Sequence, residues 1–378
     1  MFPYGRQTID QDDIDSVVET LRGDFLTTGP KITEFEEVLC EKTGAPYAVA
    51  CGNGTLALHL AAIAAGISGG DSVIVPSLTF LATANAVRYC GADVIFADVD
   101  PETGLMRAHD LESAIKNAKG KKIKAVMPVH LTGQCVNLRE IKKVADQHDI
   151  KVIADGAHVL GAEIYGEKIG ACKDAMMTTY SFHPVKTIAM GEGGAVTTHD
   201  EKLAEKMRNL RSHGMEKRPD IGPWAYDMNE LGYNYRVTDF QCALGISQMK
   251  KLDDFVARRR ELADLYDSLL ADLAPAVLPP MRRDYCTSAW HLYAPRFDFE
   301  VLSLSRADLM TGLMEKGIGT QVHYIPVHTQ PYYKNLYGEI DLPGAQTYYE
   351  HTLSLPLYPA LKDEDVEYIV QTLKEVVA

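Results

Sequence analysis

Lys186 ends the run Ser181-Phe182-His183-Pro184-Val185-Lys186, and Gly191-Glu192-Gly193-Gly194 follows it. Upstream runs Val152-Ile153-Ala154-Asp155-Gly156-Ala157-His158. A lysine amine becomes nucleophilic near neutral pH when its charged form is disfavoured. Phe182, Val185 and Ile188 offer apolar surroundings for that. Asp155 closes an apolar run, where a carboxylate is costly unless it is paired. An amine to hold an aldehyde, an anion to keep a ring nitrogen protonated and small donors for a phosphate are the needs of pyridoxal phosphate (PLP). The order of residues supplies Lys186 for the Schiff base, Asp155 for the pyridinium and Ser181 for the phosphate. His158 can stack on the cofactor or bond its phenolic oxygen, or can be an ordinary polar loop residue.

Gly52-Asn53-Gly54-Thr55 follows one apolar run and opens a helical pattern. Free N–H groups and the positive end of a helix make an anion site there, and Thr55 adds a hydroxyl. With Gly54, it is expected to form the second half of a phosphate cup. Pro76-Ser77-Leu78-Thr79-Phe80 ends another run, and Phe80 is the aromatic chosen to stack on the pyridine ring.

Those residues need elements to hold them. Apolar runs at 47–51, 72–77, 93–99, 124–130, 151–157, 175–182 and 194–199 alternate with helix-like stretches. Near-continuous Val/Ile/Ala runs suit strands covered on both faces, and the alternation predicts an α/β layer with a mainly parallel seven-stranded sheet. From Thr238 to Leu273 the pattern becomes one long helical stretch, a connector or two consecutive helices, before Pro275, Pro279 and Pro280. Beyond it, 288–297 and 320–324 read as strands, 306–316 as a helix stopped by Gly317, and Val366 to Val377 as a closing helix. The expected division is a large domain over 12–248 and a smaller α+β domain over 249–378, with residues 1–11 packing near the active site.

The chain has 378 residues, 46% hydrophobic and 24% charged, which suits a globular enzyme of two domains. A net charge of −14 argues against a general nucleic-acid or acidic-membrane partner. Cys40, Cys51, Cys90, Cys135, Cys172, Cys242 and Cys286 are scattered without a C-x-x-C pair, which predicts reduced thiols and a cytoplasmic setting. No apolar run approaches a membrane span. His323 and His328 make a poor metal pair, and no metal is expected.

Taken together, the chain resembles the DegT/StrS-like sugar-nucleotide aminotransferases of PLP fold type I. The resemblance rests on Thr27-Thr28-Gly29-Pro30, the segments around Gly54, Phe80, Asp155 and Lys186, and Gly232-Tyr233-Asn234-Tyr235-Arg236. It implies a homodimer in which Asn234 reaches the partner's cofactor phosphate. It also favours transamination, because family dehydratases carry histidine at the position of Lys186. Two positions depart from the pattern: His158 stands where many members have glutamine, and Asp24 is not at a position expected to be fixed.

Within the family, the chain looks most like the UDP-sugar 4-aminotransferases of pseudaminic acid biosynthesis. Tyr4-Gly5-Arg6-Gln7, Phe25-Leu26-Thr27-Thr28-Gly29, the histidine form of the lysine motif and Gln321 to His328 carry that likeness. It implies L-glutamate as donor and UDP-4-amino-4,6-dideoxy-N-acetyl-β-L-altrosamine as product, formed from a 4-keto sugar. It further implies that Tyr4, Phe25, Leu26, Thr27, His183, His323, Tyr324, Ile325 and Pro326 line the sugar-nucleotide pocket. Read from the residues alone, 323–326 suits a uridine or hexose contact or an ordinary strand end. Arg6, Lys31 and Arg236 are candidate cations, with Arg236 first because it lies two residues from Asn234. Other 4-keto or 3-keto sugar nucleotides, dTDP- or UDP-linked, or a 4-keto-arabinose, remain alternatives, as do a non-enzymatic PLP-binding regulator and a dehydratase or epimerase.

Overall fold

The apolar runs assemble into one sheet in a computed structural model that describes residues 1–171 and 173–377; Cys172 and Ala378 lie outside the described residues. Its strands are β1 (Tyr47–Cys51), β2 (Ser72–Pro76), β3 (Asp93–Ala97), β4 (Ile123–Val126), β5 (Lys151–Asp155), β6 (Met177–Ser181) and β7 (Gly194–Thr198). They lie in the order β1-β7-β6-β5-β4-β2-β3. Pairing is parallel from β6 through β3, and β7 runs antiparallel to both β6 and β1. The expected α/β class with a mainly parallel seven-stranded sheet is the architecture found.

Side chains alternate between two cores. Ala48, Ala50, Ile74 and Ala154 enter one, and Val49, Cys51, Val73 and Ile153 the other. With a period of two and apolar matter on both faces, the strands must read as continuous apolar runs. Helix α1 (Gly54–Ala64) leaves β1 directly, capped by Asn53, whose Oδ1 accepts from the Leu56 amide at 2.9 Å. Helix α2 (Leu81–Tyr89) follows β2 through the Thr79-Phe80 corner.

The long helical stretch is two helices, α3 (Asp239–Met249) and α4 (Leu252–Leu270), broken at Lys250-Lys251. Leu262 and Tyr266 of α4 join a third core with Trp290, Tyr293, Leu309 and Ile369. Helix α5 (Arg306–Glu315) stops where Gly317 takes φ +80°, and α6 (Asp363–Val377) closes the chain.

Two strand expectations are corrected. Only Arg296–Phe297 of the 288–297 segment is a strand, because Ser288 to Leu292 turns onto the loop after β4 instead. The 320–324 segment makes a single bridge, Gln321 with Ser354, and then leaves toward Pro326.

The N-terminal residues dock on the C-terminal part. The Phe2 amide donates to the Gly317 carbonyl at 2.7 Å, and the Leu357 amide donates to the Tyr4 carbonyl at 3.1 Å. Among the described residues Cys40, Cys51, Cys90, Cys242 and Cys286 are free thiols, and no helix is long and apolar enough to cross a membrane.

Candidate active site

Because β1, β2, β5 and β6 run the same way, their C-terminal ends meet at one edge of the sheet, where open α/β sheets bind ligands. A cavity of about 570 Å³ opens there. The walls include Gly54 and Thr55 at the start of α1, Phe80 at the start of α2, Asp155 at the end of β5 and Ser181 at the end of β6. His158, His183, Lys186, Tyr4, His323 and Tyr324 complete the set of expected residues that it gathers.

Asp155 is buried, and both of its oxygens are engaged. Oδ2 accepts from the Thr83 hydroxyl at 2.7 Å and Oδ1 from the Ala157 amide at 3.1 Å. A hydroxyl has one proton, so the Thr79 hydroxyl, 2.8 Å from that of Thr83, donates to it in turn. Burial raises the Asp155 carboxyl above its ordinary value, while the two hydrogen bonds and the Lys186 charge pull it back. Burial lowers the Lys186 amine to about 8, opposed by Asp155. Each group stabilises the ionised form of the other, and both titrate nearer neutrality than in water.

These residues fit PLP. A buried carboxylate with only neutral hydrogen-bond partners suits a ring N–H⁺. A Cβ added to Gly54 would sit 2.8 Å from Ser181 Cβ and 3.1 Å from its Oγ, so the glycine leaves open a small cradle between a helix N-terminus and a hydroxyl. Phe80 is 56% exposed, its ring 5.8 Å from that of Tyr324, and it presents a free face for stacking.

His158 has a defined tautomer. The Thr132 amide donates to its Nδ1 at 3.3 Å, so Nε2 carries the proton and donates to the Tyr324 hydroxyl, 3.5 Å away. Burial holds this imidazole well below its usual pKa, with the Lys186 charge adding to the effect. His323, lowered to about 3 chiefly by burial, holds Ser354 through Nδ1 at 2.8 Å, and its ring lies 5.3 Å from that of Tyr4.

Other expected residues stand outside this cavity. Phe25 and Leu26 are exposed, and their loop is tied to α3: the Asp239 amide donates to the Leu26 carbonyl and Thr27 bridges Thr238. Ile325 is exposed, while Pro326 opens a turn docked on Ser77 through the Val327 amide. Lys31 pairs with Glu34. Asn234 is exposed and bridges Ser212, and Arg236 is half-buried beside the Gly52 turn.

The structure also brings in residues that the sequence did not single out. Thr83 anchors Asp155. Gln321 and Glu192 line the cavity, and His291 lies 3.5 Å from the Lys186 amine. Thr83 lies in the first turn of α2, and its contact with Thr79 comes from the corner before that helix, which no helical spacing marks. His291 reaches the site from a distant segment with no motif of its own.

Comparison with known proteins places the whole chain in a family. A family model described as the DegT/DnrJ/EryC1/StrS aminotransferase family matches residues 7–374. The spore coat polysaccharide biosynthesis protein SpsC of Bacillus subtilis (strain 168) is 40% identical, over 99% of this chain and 97% of its own. A Campylobacter jejuni protein named UDP-4-amino-4,6-dideoxy-N-acetyl-beta-L-altrosamine transaminase is 40% identical, over 99% of this chain and 96% of its own. Helicobacter pylori PseC, an aminotransferase involved in the biosynthesis of pseudoaminic acid, superposes with a TM-score of 0.91 at 30% identity, covering 99% and 98% of the two chains. Spr1654 of Streptococcus pneumoniae, in its PMP form, gives 0.92 at 30% identity, covering 100% and 99%.

Proposed function

The chain belongs to the DegT/DnrJ/EryC1/StrS aminotransferase family, and from that premise we propose that it moves the amino group of L-glutamate to C4 of a UDP-linked 4-keto-6-deoxy-N-acetylhexosamine. The product is UDP-4-amino-4,6-dideoxy-N-acetyl-β-L-altrosamine. The chain is a PLP-dependent sugar aminotransferase.

The observation that carries the reading is the joining of Lys186, Asp155 and the Gly54–Ser181 cradle in one cavity. Bound there, PLP supplies the electron sink that amino transfer needs. Lys186 holds the cofactor and, when released, moves the proton at the donor's Cα. Asp155 keeps the ring nitrogen protonated. Thr55 and Ser181 would hold the phosphate, Phe80 would cover the ring, and His158 would stack on the cofactor or bond its phenolic oxygen. Tyr4, His183, His323 and Tyr324 line the same cavity and would contact the sugar nucleotide. The choice of sugar rests on two Campylobacter jejuni relatives named for that transamination, 40% and 39% identical to this chain.

The enzyme works as a homodimer with shared sites. Asn234 lies outside its own chain's cavity and is exposed, as a residue serving a partner's phosphate would be. It lies beside the hairpin of β8 (Met215–Lys217) and β9 (Tyr226–Met228), where Trp224, Tyr226 and Met228 are exposed, an apolar surface that a partner would cover. Free thiols fit a cytoplasmic setting.

The test is a mass spectrum of the products formed with glutamate from a panel of 4-keto UDP- and dTDP-sugars. The expected result is preferred amination of the UDP N-acetyl sugar. Better efficiency with a dTDP-4-keto-6-deoxy sugar would leave the family in place and overturn this substrate.

A further inference from the structure

His291 is buried beside Lys186, and its backbone is built into place from two sides. On one side, the loop after β4 holds it: the Leu292 amide donates to the Thr132 carbonyl at 3.0 Å, and the Ser288 hydroxyl and Ala289 amide donate to the Gly133 carbonyl. On the other, Arg259 of α4 reaches in. Its guanidinium is fully buried and donates to the carbonyls of Trp290, His291 and Leu357 at 3.2, 3.3 and 2.9 Å. Trp290, between these anchors, takes φ +46°, a conformation that costs a bulky residue energy and persists only where its surroundings impose it. This much structure fixes one imidazole, whose Nε2 lies 3.5 Å from Lys186 Nζ and whose ring lies 4.3 Å from that of His158.

An ammonium has three donors and no acceptor. When Lys186 carries its proton, the contact with His291 therefore runs from Nζ–H to an unprotonated Nε2. Resting on the reading of Lys186 as the residue that holds PLP, we propose that His291 is a positioning residue for Lys186, its Nε2 accepting an N–H of the lysine whenever the amine is free of the cofactor.

The surroundings keep it in that role. Lys186, His158, Arg259 and His323 all face the ring, and Asp155 lies beyond the lysine. Burial disfavours the charged imidazole, and a third positive charge beside Lys186 and Arg259 is disfavoured as well, so His291 stays neutral. The hydrogen bond then favours the charged lysine and partly offsets its burial.

The test follows covalent capture of PLP by the apo-protein through its visible band, across neutral and alkaline pH. Only the free amine attacks, so in the wild type the rate rises with pH about a midpoint near the lysine's own value of about 8. His291→Phe keeps a ring against His158 and removes the acceptor. Losing a bond that favours the ammonium lowers the lysine pKa, and the midpoint is expected to move down by about half to one pH unit. His291→Gln supplies an amide oxygen and is expected to move it back toward the wild type. An unchanged midpoint in folded His291→Phe overturns the proposal. If that variant does not fold, nitrogen-15 histidine spectra decide, with His291→Gln locating the signal. The proposal expects an Nδ1–H tautomer in the wild type and a shift of Nε2 in Lys186→Ala; an Nε2–H tautomer, or no response, overturns it. A wild type that forms no band with PLP overturns the reading of Lys186, and this one with it.

Discussion

Asp155 gains its chemistry from what surrounds it. Its carboxylate is buried, and its hydrogen-bond partners, Thr83 and the Ala157 amide, are neutral, so a cation is the contact that best offsets its desolvation. Asp155→Asn should therefore still bind PLP but transaminate slowly. One charge-assisted hydrogen bond is worth about 1.5–3 kcal/mol, so kcat at saturating glutamate should fall at least about tenfold. Near-wild-type turnover would remove the role. Thr83→Val deletes the donor to Oδ2, and a lost bond to the charged form raises the carboxyl pKa. The acidic limb of the kcat–pH profile should move to higher pH, and a limb that stays where it was would show that Thr83 does not tune Asp155.

At the scale of elements, the site depends on how closely a helix start and a strand end approach. Gly54 opens α1 against Ser181 at the end of β6, and a methyl group there would meet Ser181 at 2.8 Å. Gly54→Ala should weaken PLP binding by about tenfold or more while β1 and α1 stay folded, checked by titration of the visible band alongside thermal melting. Unchanged affinity would mean the cradle is not where the phosphate sits. This edge was legible in the sequence. Strands buried on both faces must read as apolar runs, and Asp155 and Ser181 stand where those runs end. The Ser288-Ala289-Trp290-His291 segment was not legible. Its strand-like composition is satisfied by a turn onto Thr132 and Gly133, and Gly133 at φ +98° leaves no room for a side chain beneath His291. Nor could spacing reveal that Phe25 to Thr27 fold onto Asp239 and away from the cavity, because that contact joins residues far apart in the chain.

For the whole molecule, the question is whether one chain makes a complete site. Asn234 lies outside its own cavity, so a two-fold dimer would place it in the partner's. Lys186→Ala and Asn234→Trp should each be inactive alone. Mixed under conditions that exchange subunits, a trans arrangement gives each heterodimer one doubly defective site and one intact site. Activity should then return to roughly a quarter of the sites after random exchange of equal amounts. If Asn234 acts within its own chain, every site keeps a lesion, and the mixture should stay inactive despite proven heterodimers. All of this chemistry is centred on the amine of Lys186. The most direct measurement is borohydride reduction of the yellow holoenzyme, followed by digestion and mass spectrometry of the labelled peptide. The expected result is loss of the visible band with the pyridoxyl group on the peptide containing Lys186. A label on any other lysine, or a colourless protein that takes none, would contradict it.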